Sequence, residues 1–167
     1  MDQVISPAQL RQLIRSGQHT GNTSGFGKGY VQCNLVILPQ DWAADFLKFC
    51  QLNSKPCPLV AVSENPGDIG LSEICSDLDI RSDLPSYRIF KDGVLAEEVN
   101  DITDYWRDDL VVFALGCSFS FEEALLADGL DVRNVSEGCN VPMYRTNIAC
   151  KPAGPFKGDM VVSMRPF

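Results

Sequence analysis

Residues 31–62 read VQCNLVILPQDWAADFLKFCQLNSKPCPLVAV. Val31 to Leu38 is apolar almost throughout, as suits a strand covered on both faces. Pro39 stops it. Asp41 stands where it can cap a helix on which Trp42, Phe46, Leu47, Phe49 and Cys50 form a broad apolar stripe. After KPCP, Leu59 to Val62 reads as a second strand. Strand, helix, strand is βαβ grammar; it predicts an α/β fold, a sheet with parallel strands and helical cover.

Working outward, Ser6-Pro7 opens a helix that carries Leu10, Leu13 and Ile14 on one face and ends at Gly17. The stretch GQHTGNTSGFGKGY is a long loop of the kind that often serves function. Its glycines match neither G-x-G-x-x-G nor the Walker spacing, so phosphate binding is not supported. After a polar, turn-rich segment, YRIF and VLAEEV flank Lys91-Asp92-Gly93, a strong hairpin signal.

LVVFALG could be a buried strand or a helix, because an apolar run has no diagnostic period. The reading adopted is a helix that breaks at Gly116. Ser118 or Ser120 then caps the next helix, and Ser120 with Glu123 has capping-box spacing. That helix ends near Asp128-Gly129. Val132–Val135, Met143–Ile148 and Met160–Met164 are short strand candidates. Residues 1–80 with 130–167 are expected to form a three-layer, mixed-sheet α/β part. Residues 81–129 are expected to form a smaller α+β subdomain containing the hairpin. An apolar strand so near Phe167 wants a neighbour, so the chain is expected to be truncated at its C-terminus.

The 167 residues are 45% hydrophobic and 22% charged, with a net charge of -8, which describes a globular chain with a core. An acidic surface repels phosphate backbones and anionic membranes, so neither nucleic acid nor membrane is an expected partner. Locally concentrated arginines would still admit an acidic substrate. The seven cysteines include no C-x-x-C pair, and residues 1–16 lack a secretory apolar core. Free thiols in a reducing, cytoplasmic setting follow. His19 is alone in a loop, so no metal site is expected, and no cofactor fingerprint is visible.

The strings GYVQCNLVILP, FCQLNSKPCPLV, DLPSYRIFKDGVL, DDLVVFALGCSFSFEEALL and NVPMYRTNIACKPAGPFKGDMVVSMRP resemble the D-glutamate cyclase-like family, also called hydro-lyases. The resemblance runs from Ser6 to Pro166. It implies a two-part α/β architecture. It also implies a cofactor-independent carbon–oxygen lyase that removes water from D-glutamate, or a related small amino or hydroxy acid, to give 5-oxo-D-proline. The family pattern continues past residue 167, which keeps two alternatives open: a non-catalytic small-carboxylate-binding module and an inactive fragment. A homo-oligomer is an allowed assembly.

Such chemistry must hold two carboxylates, deprotonate an ammonium, stabilise an oxyanion and protonate a departing oxygen. Arginine forks suit carboxylates. Arg88, Arg145 and Arg165 lie beside family motifs, and Arg145 is favoured because Tyr144, Thr146 and Asn147 cluster with it. Its alternative is a structural ion pair. Glu122 is the leading general acid or base, with its pKa raised by flanking phenylalanines; alternatively it complements a helix end. Cys117 or Ser118 could attack the γ-carboxyl, but a cradle of Ser118, Ser120 and free amides is favoured. Cys117 could equally be a buried filler. Asn34, inside an apolar strand, either pins a loop or faces ligand. Asp83 either holds an ammonium or makes a turn before Pro85.

Overall fold

A computed structural model describes residues 5–167. Its centre is a three-stranded sheet of β1 (Cys33–Pro39), β5 (Leu110–Gly116) and β2 (Leu59–Val62), in the order β1-β5-β2. The segment expected to be a helix, LVVFALG, is thus the middle strand. Alternate side chains explain why its period was uninformative. Val112 and Ala114 enter one apolar layer with Ala61, Leu71 and Ile80. Val111 and Phe113 enter the other with Phe46 and Cys50. With no polar face there is nothing for a period to mark, and hydrogen bonding to strands on both edges decides the conformation.

The α/β class holds, but the neighbours differ from the parallel pairing that βαβ grammar predicted. β5 is antiparallel to both β1 and β2. β1 and β2 therefore run the same way with β5 between them, and Phe113 lies opposite Val36 on one side and Val62 on the other. α2 (Gln40–Leu52) covers the Phe113 face, where the Phe46 ring meets Phe113 edge-on at 4.9 Å. α2 starts one residue before Asp41 and has no side-chain cap. Gln40 donates its N–H to Asp109 O at 2.8 Å, while Asp41 sits in the first turn and complements the helix dipole.

α1 (Pro7–Arg15) has the expected Ser6 cap, completed as a capping box by Gln9. Arg11 and Arg15 fasten α1 to the turn-rich segment through Asp77 and Asp83. The hairpin forms as expected from β3 (Tyr87–Lys91) and β4 (Val94–Val99); Asp92 and Gly93 both take positive φ, as a tight primed turn requires. TDYW contributes only a 3-10 turn at Thr103–Tyr105.

Past β5, a 3-10 turn (Ser118–Phe121) leads into α3 (Glu122–Ala127). The Ser120–Glu123 capping box does not form. Ser120 Oγ accepts the Gln32 N–H at 2.9 Å, and the Glu123 carboxylate accepts the Gly29 N–H. Val132–Val135, expected as a strand, instead gives the short helix α4 (Arg133–Ser136). Val132 O accepts the N–H groups of Val135 and Ser136, so the backbone is satisfied locally. β6 (Met143–Ala149) and β7 (Asp159–Ser163) pair antiparallel as a second hairpin. No described helix is long and apolar enough to cross a membrane.

Candidate functional site

β5 delivers the chain to the site. Cys117 continues extended and donates its N–H to Gln32 O at 2.8 Å, which ties the strand exit to the start of β1. One turn later Glu122 enters α3 with only 3% of its surface exposed. A carboxylate so buried needs partners, and three side chains bond to it. Arg165 forks onto Oε1, with Nε at 3.0 Å and Nη2 at 2.9 Å. Asn134 donates Nδ2–H to the same oxygen at 3.3 Å. Ser24 donates its hydroxyl to Oε2 at 3.0 Å. Arg165 Nη2 also donates to Ser118 Oγ at 2.9 Å, and Nη1 to Ser163 Oγ at 2.7 Å.

The cluster draws on four parts of the chain, and each is held in place. Met164 donates its N–H to Pro142 O, and Arg133 donates its N–H to Pro166 O at 3.0 Å, so β7's continuation is stitched to α4. That stitch brings Arg165 and Asn134 to the same oxygen of one carboxylate. The glycine-rich loop is tied down by Ser24 to Glu122, Thr23 Oγ1 to Gln32 Oε1 at 2.7 Å, and Gln32 Nε2 to Phe26 O at 3.0 Å. Between this loop and α3 lies a hollow of about 30 Å³ that reaches Phe26, Tyr30, Ser120, Glu122 and Leu126. It is the size of a water molecule or an ammonium group. A wider trough of about 320 Å³ lies elsewhere, under residues 64–78. Its charged side chains, Glu64, Asp68 and Glu73, are all acidic and would repel an acid.

Ser118 has a distinctive hydrogen-bond balance. Its oxygen accepts from Arg165 and from the Ser163 hydroxyl, the latter at 3.2 Å. The guanidinium polarises the Ser118 O–H, which can turn to donate to a group arriving at the site.

Of the residues singled out in the sequence, Glu122, Ser118 and Arg165 come together. Ser120 is close by but exposed, its oxygen engaged by Gln32. Cys117 is half-buried beside them, and burial, with Cys117 adding to it, pushes the Cys33 thiol up. Tyr144, Arg145 and Asn147 lie exposed on β6, away from the Glu122 bonds. Asn34 is exposed on β1 opposite Leu115. Arg88 pairs with Glu98 at 3.3 Å on the hairpin surface. Asp83 is 4% exposed and is engaged by Arg15 and by the Asp79 N–H, a brace between α1 and its turn.

The two phenylalanines of the motif part: Phe119 lines the hollow with Glu122, and Phe121 does not. Phe121 is exposed and lies under the Arg165 guanidinium, 4.9 Å from Cζ to the ring centroid. Ser24, Asn134 and Ser163 were not singled out in the sequence. Ser24 sits in a loop flagged only by its length, Asn134 in a presumed strand, and Ser163 in an apolar run.

Residues 111–167 match the family described as D-glutamate cyclase. That stretch holds Ser118, Glu122, Asn134, Ser163 and Arg165; only Ser24 of the cluster lies outside it. The chain is 61% identical over 158 residues to a Bordetella pertussis protein named "Putative hydro-lyase", covering 95% of this chain and 57% of that one. A Bordetella petrii protein with the same description is 60% identical over 158 residues, covering 95% and 60%. One from Azorhizobium caulinodans is 61% identical over 157 residues, covering 94% and 57%. The chain thus spans less than two thirds of the length of these relatives. Residues 111–167, which carry β5 and most of the Glu122 cluster, thus match the D-glutamate cyclase family, and three-fifths identity to proteins described as hydro-lyases runs along nearly the whole chain.

Proposed function

We propose that the protein is a hydro-lyase of D-glutamate cyclase type, closing D-glutamate or a closely related small acid to 5-oxo-D-proline with loss of water. The single observation that carries this reading is the buried Glu122–Arg165 pair, with the Ser118 hydroxyl poised behind it. A substrate carboxylate takes the place of Glu122 on the Arg165 fork, because planar bidentate binding suits any carboxylate. Glu122, released from its cation, then accepts a proton from the substrate ammonium. The amine attacks the γ-carboxyl carbon, and Ser118 donates to the developing oxyanion. Glu122 returns the first proton to the departing oxygen, and the nitrogen loses its second proton to the same oxygen. The C–N bond forms, one C–O bond breaks, and water leaves with no net proton change. No step calls on a cofactor. The hollow is far smaller than glutamate, so the Thr23–Gln32 loop moves aside to admit substrate.

The test is formation of 5-oxo-D-proline from D-glutamate, followed by chiral chromatography. Folded Glu122→Gln is expected to make none, and Ser118→Ala to turn over at least tenfold more slowly. Absence of product above the uncatalysed rate with folded wild-type protein overturns the reading. A second reading, carboxylate binding without turnover, is favoured by one observation, that the Arg165 fork already holds a carboxylate. Saturable calorimetric binding of D-glutamate with no product would select it.

A further inference from the structure

Two buried side-chain atoms among the described residues have no hydrogen-bond partner, Arg11 Nε and Asn134 Oδ1. Arg11 Nε still has the Asp83 carboxylate at 3.7 Å. Asn134 Oδ1 has nothing, although the residue is only 3% exposed. A buried carbonyl left without a donor is disfavoured, and native proteins rarely tolerate one without a reason.

The amide cannot be turned round to cure this. Glu122 Oε1, 3.3 Å away, is an acceptor only, so the Nδ2 group must face it. Nor is the residue loosely placed. The Asn134 backbone carbonyl accepts the Cys139 N–H at 2.9 Å, and the preceding Arg133 N–H is bound to Pro166 O. An unfilled acceptor is therefore held beside the carboxylate, and it is Glu122, not Asn134, that lines the hollow of water or ammonium size.

We propose that Asn134 is a specificity-determining residue, its Oδ1 accepting an N–H of the substrate's α-ammonium beside Glu122. The proposal rests on the Glu122 site described above and adds to it a choice of substrate class. An ammonium has three donors and a positive charge, so it satisfies Asn134 Oδ1 and the Glu122 carboxylate together with charge-assisted bonds. A hydroxyl has one donor and no charge and can satisfy only one of them. A plain dicarboxylate offers neither. The site therefore selects amino acids over hydroxy acids, and both over the unsubstituted diacid. Asn134 also places Glu122 Oε1 where the ammonium proton is to be delivered.

The experiment is competitive calorimetry of D-glutamate, D-2-hydroxyglutarate and glutarate on wild type and on Asn134→Leu, alongside the 5-oxoproline assay. Wild type is expected to bind D-glutamate at least tenfold more tightly than glutarate, with the hydroxy acid between them. Asn134→Leu is expected to lose most of that ratio while its glutarate affinity stays within about threefold of wild type. If the leucine variant does not fold, Asn134→Ser, smaller and still polar, carries the same reading. The inference is overturned if wild type binds glutarate as tightly as D-glutamate, if no ligand binds, or if the variant weakens all three ligands equally, as a purely structural role would. The two readings fail separately. A preference for D-glutamate that Asn134 controls, without product, sinks the lyase and leaves the selectivity. Product formed while Asn134→Leu keeps the full preference sinks only the selectivity.

Discussion

Glu122 and Arg165, 43 residues apart in the chain, place their charges 2.9 Å from each other with side chains 4% and 5% exposed. At that depth neither charge is hydrated, and each depends on the other. Loss of one partner from a buried pair leaves an uncompensated charge, which typically costs about 3–5 kcal/mol, whereas replacing both can be nearly neutral. Arg165→Met is expected to fall in that range by urea denaturation, and Glu122→Gln/Arg165→Met to cost clearly less than the two single changes summed. Strict additivity would mean that the two charges do not stabilise each other.

The sheet is locked by one side chain. Phe113 is 1% exposed, flanked by Val36 and Val62 and met edge-on by Phe46. Phe113→Ala is expected to destabilise the protein by about 3–5 kcal/mol, through lost burial and the cavity it leaves. Phe113→Leu should cost less than half of that in the same denaturation experiment. Equal losses for the two would show that shape, not volume, matters there.

Acid sensitivity has an identifiable contributor in Asp77. The hydrogen bond from Arg11, helped by Cys75, lowers its carboxyl to about 2. A carboxyl lowered on folding adds stability above its unfolded pKa of about 4 and loses it as pH falls from there toward 2. The pair is solvent-exposed on the Asp77 side, so the effect is small. Urea midpoints of wild type and Asp77→Asn should differ at pH 6 and draw together as pH falls through 3 toward 2. A gap that widens on acidification has the wrong sign for this account.

Thiol reactivity should follow burial. Cys50 is packed against Phe46, Val111 and Phe113, and desolvation pushes its thiol up to about 11. Cys139 is exposed. Iodoacetamide at pH 8, read by peptide mass spectrometry, should modify Cys139 in the native state and Cys50 only after unfolding. Native labelling of Cys50 at a rate near that of Cys139 would contradict the packing.

The site was legible in part. Glu122, Ser118 and Arg165 could be named because charged and hydroxyl residues inside apolar strings are conspicuous. Tyr144, Arg145 and Asn147 were equally conspicuous, yet they lie together on an exposed hairpin. Neighbours in a strand point to opposite faces, so adjacency in sequence shows neither that side chains meet nor what they face. Asn134 was invisible, since its interest lies in an acceptor left empty, which no string of letters can express.

Local signals settled the local structure. Ser6-Pro7, Pro39, Asp92-Gly93 and Asp128-Gly129 act through backbone geometry and hydrogen bonds a few residues long, so they could be read directly. The sequence by itself also determined the α/β class, an apolar core and an acidic balance of charge. Tertiary structure alone decided that Leu110–Gly116 is a central strand, that it separates β1 from β2, and that Arg165 rather than Arg145 answers Glu122. Each of those outcomes is a competition between distant partners for the same edge or charge. Such competitions are resolved by hydrogen-bond satisfaction and desolvation in the assembled core, quantities that do not exist until the chain has folded.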